Sequence, residues 1–166
     1  MIRFFPGVCA WLLLAAVLPL PAQIYSSRFS SQDVYLYDET TGDRIGAAAF
    51  IPTDPSVLEN PHGIIDRTTD IIVASWTDEI QRYDRVTGAY LGNFVDSGEG
   101  LVNPVYMEVG PDGWLYVSSQ ANHRMYRYNR DGETGTAVDA GPFIEGGDLN
   151  GPSGFDWSPD GTVLYV

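Results

Sequence analysis

The chain has 166 residues, 44% of them apolar and 13% aromatic, and a net charge of −13. That length sets an expectation of one domain with a sizeable core. All nine basic residues are arginine, and so acidic a surface speaks against nucleic acid, whose phosphates need cationic contacts, and against electrostatic docking on anionic lipid.

Residues 1–22 read as an export signal. Arg3 supplies the positive start, Val8 to Leu18 the apolar stretch, and Pro19-Leu20-Pro21-Ala22 the cleavage region with a small last residue. The alternative is an uncleaved anchor, but the apolar stretch is shorter than the roughly 20 residues a span needs. Pro6, Gly7, Pro19 and Pro21 flank it. No later segment is long and apolar enough to cross a membrane. The mature chain is therefore expected to be secreted or periplasmic, with no membrane attachment beyond the signal. The only cysteine, Cys9, lies inside that signal. The mature chain then has no disulfide, thiolate nucleophile or cysteine metal site.

After the signal, one pattern is written three times and begun a fourth. Ile24-Tyr25-Ser26-Ser27 through Tyr37-Asp38 matches Ile72-Val73-Ala74-Ser75 through Tyr83-Asp84. Both match Leu115-Tyr116-Val117-Ser118-Ser119 through Tyr128-Asn129. Tyr37, Tyr83 and Tyr128 are 46 and 45 residues apart. Short alternating strands at that period predict an all-β β-propeller of four-stranded antiparallel blades, one blade per copy. The copies span about 23–55, 60–97, 103–142 and 151–166. In the second, Gly63–Asp66 is the expected inner strand, followed by Asp70–Ser75, Glu79–Asp84 and Gly88–Val95. Val-Thr-Gly at 86–88 turns into the last of these, with Gly88 free to take positive φ. In the third, the expected strands are Val105–Val109, Trp114–Ser118, Arg124–Asn129 and Thr136–Ala140. Pro111-Asp112-Gly113 and Arg130-Asp131-Gly132 are its turns.

The fourth copy starts at Pro152-Ser153-Gly154-Phe155-Asp156-Trp157, turns at Ser158-Pro159-Asp160-Gly161 and runs to Val166, mid-blade. The first copy has strands two to four but no inner strand. About three and a half blades cannot close a ring, and an open one leaves strand edges unpaired. The expectation is an N-terminal piece of a longer protein whose C-terminus supplies the missing inner strand. The alternative is several short chains assembling into one ring.

Pro111-Asp112-Gly113-Trp114-Leu115-Tyr116-Val117-Ser118-Ser119, with Asn122-His123-Arg124-Met125-Tyr126-Arg127-Tyr128, resembles an NHL repeat. The Pro-led strand start recurs at Asn60-Pro61-His62-Gly63, Asn103-Pro104-Val105-Tyr106 and Gly151-Pro152-Ser153-Gly154. The resemblance covers most of 24–166 and implies propeller architecture, which binding proteins and enzymes share. Ser153-Gly154-Phe155-Asp156-Trp157-Ser158 is similar to the Asn-Gly-Leu-Asp-Trp-Ser segment of the gluconolactonase (senescence-marker) family. There the Asn is a ligand of a catalytic divalent cation, usually calcium. This chain has Ser153 at that position and Val105 where the preceding blade would carry a second Asn, so both ligands are replaced. Streptogramin-type lyases share the repeat class, and their acid–base residues would fall mostly in blades outside this sequence.

His62, at the start of an inner strand facing the central channel, is a candidate base or ligand; the plainer reading is polar surface. His123 sits in the Asn-His-Arg turn and is expected to bond locally between strands two and three. Asp112, Asp131 and Asp160 precede Gly and read as hairpin turns. Gly146-Gly147-Asp148-Leu149-Asn150, with Glu145, is a weak calcium candidate against the simpler reading of a solvated loop. Trp114 and Trp157 are expected between blades, whereas Trp76, beside Thr77-Asp78-Glu79, is the tryptophan expected to be exposed. Two functions remain. One is a non-catalytic exported scaffold binding a protein, glycan or small molecule through His62, Val105, Ser153 and Trp76. The other is a lactonase-like or streptogramin-lyase-like enzyme at the channel mouth. The first is favoured, with no catalytic residue and no cofactor assigned.

Overall fold

The computed structural model of the chain describes residues 23–54, 57–139 and 141–166. The expected signal, 1–22, lies outside the described residues. Among these, every regular element is a β-strand, and all strand pairs are antiparallel. The first sheet holds β1 (Gln23–Arg28), β2 (Asp33–Asp38) and β3 (Arg44–Ile45). The second holds β4 (Ile64–Asp66), β5 (Asp70–Ser75), β6 (Glu79–Asp84) and β7 (Tyr90–Val95). The third holds β8 (Pro104–Val109), β9 (Leu115–Ser119), β10 (Arg124–Tyr128) and β11 (Ile144–Glu145). The fourth is a pair, β12 (Asp156–Trp157) and β13 (Leu164–Tyr165). Each sheet is a simple meander in chain order, so the repeat in the sequence is also the repeat in space.

The second strand of each full copy is buried along its whole length: every residue of β5 and of β9 is inaccessible. Both faces of such a strand must meet another layer, and the sheets stack to provide it. One apolar core, with Val34, Ile51, Ile71, Val73 and Tyr83, lies between the first two sheets. A second, with Ile72, Phe94, Met107, Val117 and Tyr126, lies between the second and third. A third, built on Tyr116, Met125 and Phe155 with Trp114 and Trp157 against them, joins the third to the fourth. Ile71 and Ile72 therefore serve different cores, because neighbouring side chains on a strand point to opposite faces.

The hairpin after the third strand repeats in detail. Asp38 Oδ1 accepts the backbone N–H groups of Thr40 and Thr41, both at 2.9 Å, and Asp84 Oδ1 accepts those of Val86 and Thr87 at 3.0 and 2.7 Å. Gly88 takes φ +71° to finish the turn, and a Cβ there would meet Phe50 O of the preceding sheet at 2.1 Å. Both the positive φ and the close approach demand glycine.

The third copy departs from expectation at its outer edge. Thr136–Ala140 was expected to be the outer strand; Ala140 lies outside the described residues, and over 136–139 only an isolated bridge, Tyr128↔Ala137, forms. The regular outer strand is β11, paired with Arg124 and Met125. Between the two pieces Asp139 turns onto Arg127 at 2.8 Å, and Pro142 has no N–H to donate to a ladder.

A buried ionic knot ties the second sheet to the third. Asp70, its side chain 3% exposed, receives Arg67 through two bonds at 2.7 and 2.6 Å and Arg82 at 2.8 Å. Arg67 also donates to the carbonyls of Arg130 and Gly132, and Arg82 to that of Glu133. The Arg67 guanidinium lies 4.5 Å from the centre of the Phe94 ring. Burial alone would raise the Asp70 pKa, but the hydrogen bonds from Arg67 and Arg82 outweigh it and hold the carboxyl below its ordinary range. The folded state thus releases this proton more readily than the unfolded chain. The knot's contribution is complete above the unfolded value of about 3.9 and is lost as pH falls through the lower folded value. Asp70→Asn leaves two buried guanidinium groups without their anion and is expected to cost about 3 kcal/mol at neutral pH in urea unfolding. The variant should also lose part of the acid sensitivity of the parent; equal stability of the two at pH 7 would show that the knot is not a stabilising element.

Candidate functional site

The inner strands of the four-stranded sheets begin, and the second strands end, along the same side of the stack. At that margin three rings meet: Phe29 in the turn after β1, His62 just before β4, and Trp76 just after β5. The His62 and Trp76 rings stack, with centroids 5.5 Å apart at 25°. Phe29 stands edge-on to both, at 5.4 Å from His62 and 5.0 Å from Trp76. Phe29 is 47% exposed, while the other two rings are half-buried.

Backbone bonds from three directions set this cluster. His62 N–H donates to Ala74 O on β5 at 3.0 Å, and His62 O accepts the Ser27 hydroxyl of β1 at 2.9 Å. Gly63 N–H donates to Val105 O of the next copy at 2.9 Å. Trp76 N–H donates to Glu59 O at 2.9 Å. The rings themselves are differently placed. His62 Nε2 and Trp76 Nε1 are both buried with no hydrogen-bond partner among the described residues. An unpartnered buried polar atom costs about 1–3 kcal/mol, and in a native structure it calls for an explanation. Two of them side by side mark the cluster as the strongest candidate site. Burial lowers the His62 pKa and so favours the neutral ring.

The four residues singled out in the sequence are thus not one constellation. His62 and Trp76 come together. Val105 joins them only through its carbonyl. Ser153 lies one sheet further along, exposed, its carbonyl accepting the Ser118 hydroxyl at 3.4 Å. Trp76 is not the exposed loop tryptophan expected, because Phe29 and His62 cover it. Phe29 was missed. Its signal was its place just past Ser26-Ser27, next to the position that Trp76 takes after Ser75.

A second feature sits on β8. Glu108 Oε2 is buried without a partner, and burial first, then the nearby Asp156 charge, raises its pKa. Tyr106, two residues earlier, meets Phe155 edge-on at 4.9 Å. His123 bonds locally through its backbone N–H, on Gln120 O at 3.3 Å in the turn between strands two and three, while its ring reaches further. Its Nδ1 accepts the Gly151 N–H, 28 residues on, at 2.8 Å. Asp112 and Asp160 cap their turns through Trp114 N–H and Thr162 N–H. In the 145–150 loop Glu145 pairs with Arg124 at 3.2 Å. Among the described residues no three His, Cys, Asp or Glu side chains converge as a metal site would require. A cleft of about 200 Å³ at the outer side of the first two sheets, lined by Ile51, Leu58, Tyr83 and Tyr90, is separate from all of these.

The stack has close likenesses among solved structures. Kuenenia stuttgartiensis hydrazine synthase superposes with a TM-score of 0.61 at 17% identity, over 86% of this chain and 37% of that one. Virginiamycin B lyase from Staphylococcus aureus gives 0.61 at 16%, over 84% and 43%. A protein assigned to the gluconolactonases gives 0.60 at 18%, over 85% and 50%. These are β-propeller proteins. The chain has a β-propeller fold. It spans half or less of the length of each of these structures. No protein-family model matches the sequence, and no curated protein matches it.

In this propeller the aromatic cluster bridges the first two blades, so its protonation state bears on folding. The unfolded chain takes up a proton on His62 at about pH 6.5, whereas the folded chain resists it. The unfolded state then binds more protons, and stability falls as pH drops below about 6.5. Urea midpoints measured at about pH 7.5 and about pH 5.5 should show this loss, and His62→Phe should flatten it. An unchanged slope in the variant would mean that the ring is not held neutral by its surroundings.

Proposed function

We propose that the chain is the ligand-binding part of an exported propeller, and that Phe29, His62 and Trp76 contact an uncharged, oxygen-rich small molecule such as a glycan. The single observation that carries this reading is the pair of unpartnered ring nitrogens, His62 Nε2 and Trp76 Nε1, under one exposed aromatic ring. Indole N–H is a donor only, so its missing partner is an acceptor oxygen. Flat rings suit the apolar face of a sugar, and the net charge of −13 disfavours an anion. Phe29 sits in a turn and is 47% exposed, so its ring changes rotamer more readily than a core side chain. Catalysis is not needed for any of this.

A specific observation favours a second reading. Glu108 is a carboxyl with its pKa raised by burial and by Asp156, as a general acid requires. The similar folds include a lyase and a protein assigned to the gluconolactonases. In that reading the propeller is an acid–base enzyme of the lactonase or lyase kind, with Glu108 as the acid.

Tryptophan fluorescence separates the two. Titration with neutral trisaccharides of glucose, xylose or N-acetylglucosamine should give a saturable change with at least one of them. Trp76→Phe should abolish it, and His62→Ala should weaken binding about tenfold or more, the loss of one buried hydrogen bond to ligand. No saturable response to any member overturns the glycan reading. Turnover of simple lactones that Glu108→Gln removes would establish the second instead.

A further inference from the structure

Asn150 is the one asparagine in the chain followed by glycine. The other five are blocked. Asn60 and Asn103 precede Pro61 and Pro104, whose nitrogens carry no hydrogen. Asn93 is held by Tyr90 and Asp96, Asn122 by Gly100 O, and Asn129 by the N–H of Asp131. Asn150 is exposed, and its side chain makes no hydrogen bond among the described residues. Gly151 has φ +60° and open space around it, a Cβ there meeting nothing nearer than Gln120 Cγ at 3.9 Å.

What sets this pair apart from any exposed Asn-Gly is the partner of the Gly151 nitrogen. Its N–H points at His123 Nδ1, at 2.8 Å. To accept that bond Nδ1 must be unprotonated, which puts the proton of the neutral ring on Nε2. A base therefore already accepts a hydrogen bond from the one N–H whose proton must leave before this nitrogen can attack a carbonyl. His123 is kept in place by its own backbone, with φ +57° in the turn and its N–H on Gln120 O at 3.3 Å.

We infer that Asn150–Gly151 is a self-modifying site at which His123 acts as general base for cyclisation to a succinimide. The Gly151 nitrogen forms a bond to Asn150 Cγ as its proton passes to His123 Nδ1. The tetrahedral adduct then collapses, the Cγ–N bond to the side-chain amide breaks, and that group leaves as ammonia with the proton His123 returns. Water opens the ring at either carbonyl, giving aspartate or isoaspartate. The sum is amide plus water to carboxylate plus ammonium, with no oxidant or reductant. The product adds a negative charge beside Asp148. In the isoaspartyl form it also inserts an extra backbone carbon ahead of buried Pro152 and of Ser153, which Ser118 holds by its carbonyl.

Folded protein aged at neutral pH and then cleaved at arginine releases residues 131–166 as one peptide. The expected result is conversion of Asn150 there, read as the mass change from amide to acid and as an isoaspartyl linkage on fragmentation, with the other asparagines intact. His123→Gln retains an acceptor but not a base, and should slow conversion at least about tenfold in the folded state. In denaturant the two proteins should convert at the same rate, which separates the effect of the fold from that of the local sequence. Asn150 staying intact in the folded parent would overturn the proposal. So would conversion of folded His123→Gln at the parental rate or faster.

Discussion

Everything in this molecule depends on sheets that are apolar on both faces. β5 has no accessible residue, and its alternate side chains feed two separate cores. Such a sheet is stable only between two others, so stacking is a condition of folding here. Neighbouring copies approach closely enough for Gly63 N–H to reach Val105 O. The Asp70 knot works within that constraint. Placing a carboxylate between sheets is costly unless its charge is met, and Arg67 and Arg82 meet it while also capping carbonyls of the next copy.

The same stacking makes the candidate site. Phe29 belongs to the first copy and His62 and Trp76 to the second, so no single blade contains the cluster. Its geometry follows from the backbone bonds of His62, Gly63 and Trp76 and from the Ser27 hydroxyl on His62 O. At equivalent positions the copies differ: His62, Val105 and Ser153 lie at or just before the inner strands, and Ile65, Glu108 and Asp156 sit three residues further on. A repeat of this kind conserves its ladder and leaves the strand ends to carry chemistry. The His123–Gly151 bond is a further case, in which a turn of one copy reaches the segment leading into the next.

Much of the fold was legible in the chain. The spacing of Tyr37, Tyr83 and Tyr128, the alternation in Glu79–Asp84 and the Thr-Gly turns located most strands to within a residue or two, because hairpins are local and their signals are short-range. The outer strand of the third copy was misplaced, because an edge strand is held by few bonds and Pro142 and Asp139 divert the chain. The site was legible only in part. His62 and Trp76 stood out by residue type, but their contact did not, and Phe29 was marked only by its place just past Ser26-Ser27.

The sequence by itself determined the repeat, the antiparallel meander and the acidic, lysine-free surface, since each is a property of near neighbours or of composition. Only the tertiary structure decided which residues from different copies meet. It brought Phe29 over His62 and Trp76 and left His62 Nε2 and Trp76 Nε1 without partners among the described residues. It also buried a Glu108 oxygen near Asp156 and set His123 against Gly151. These are contacts across sheets, fixed by how one blade stacks on the next, and no periodicity along the chain encodes them.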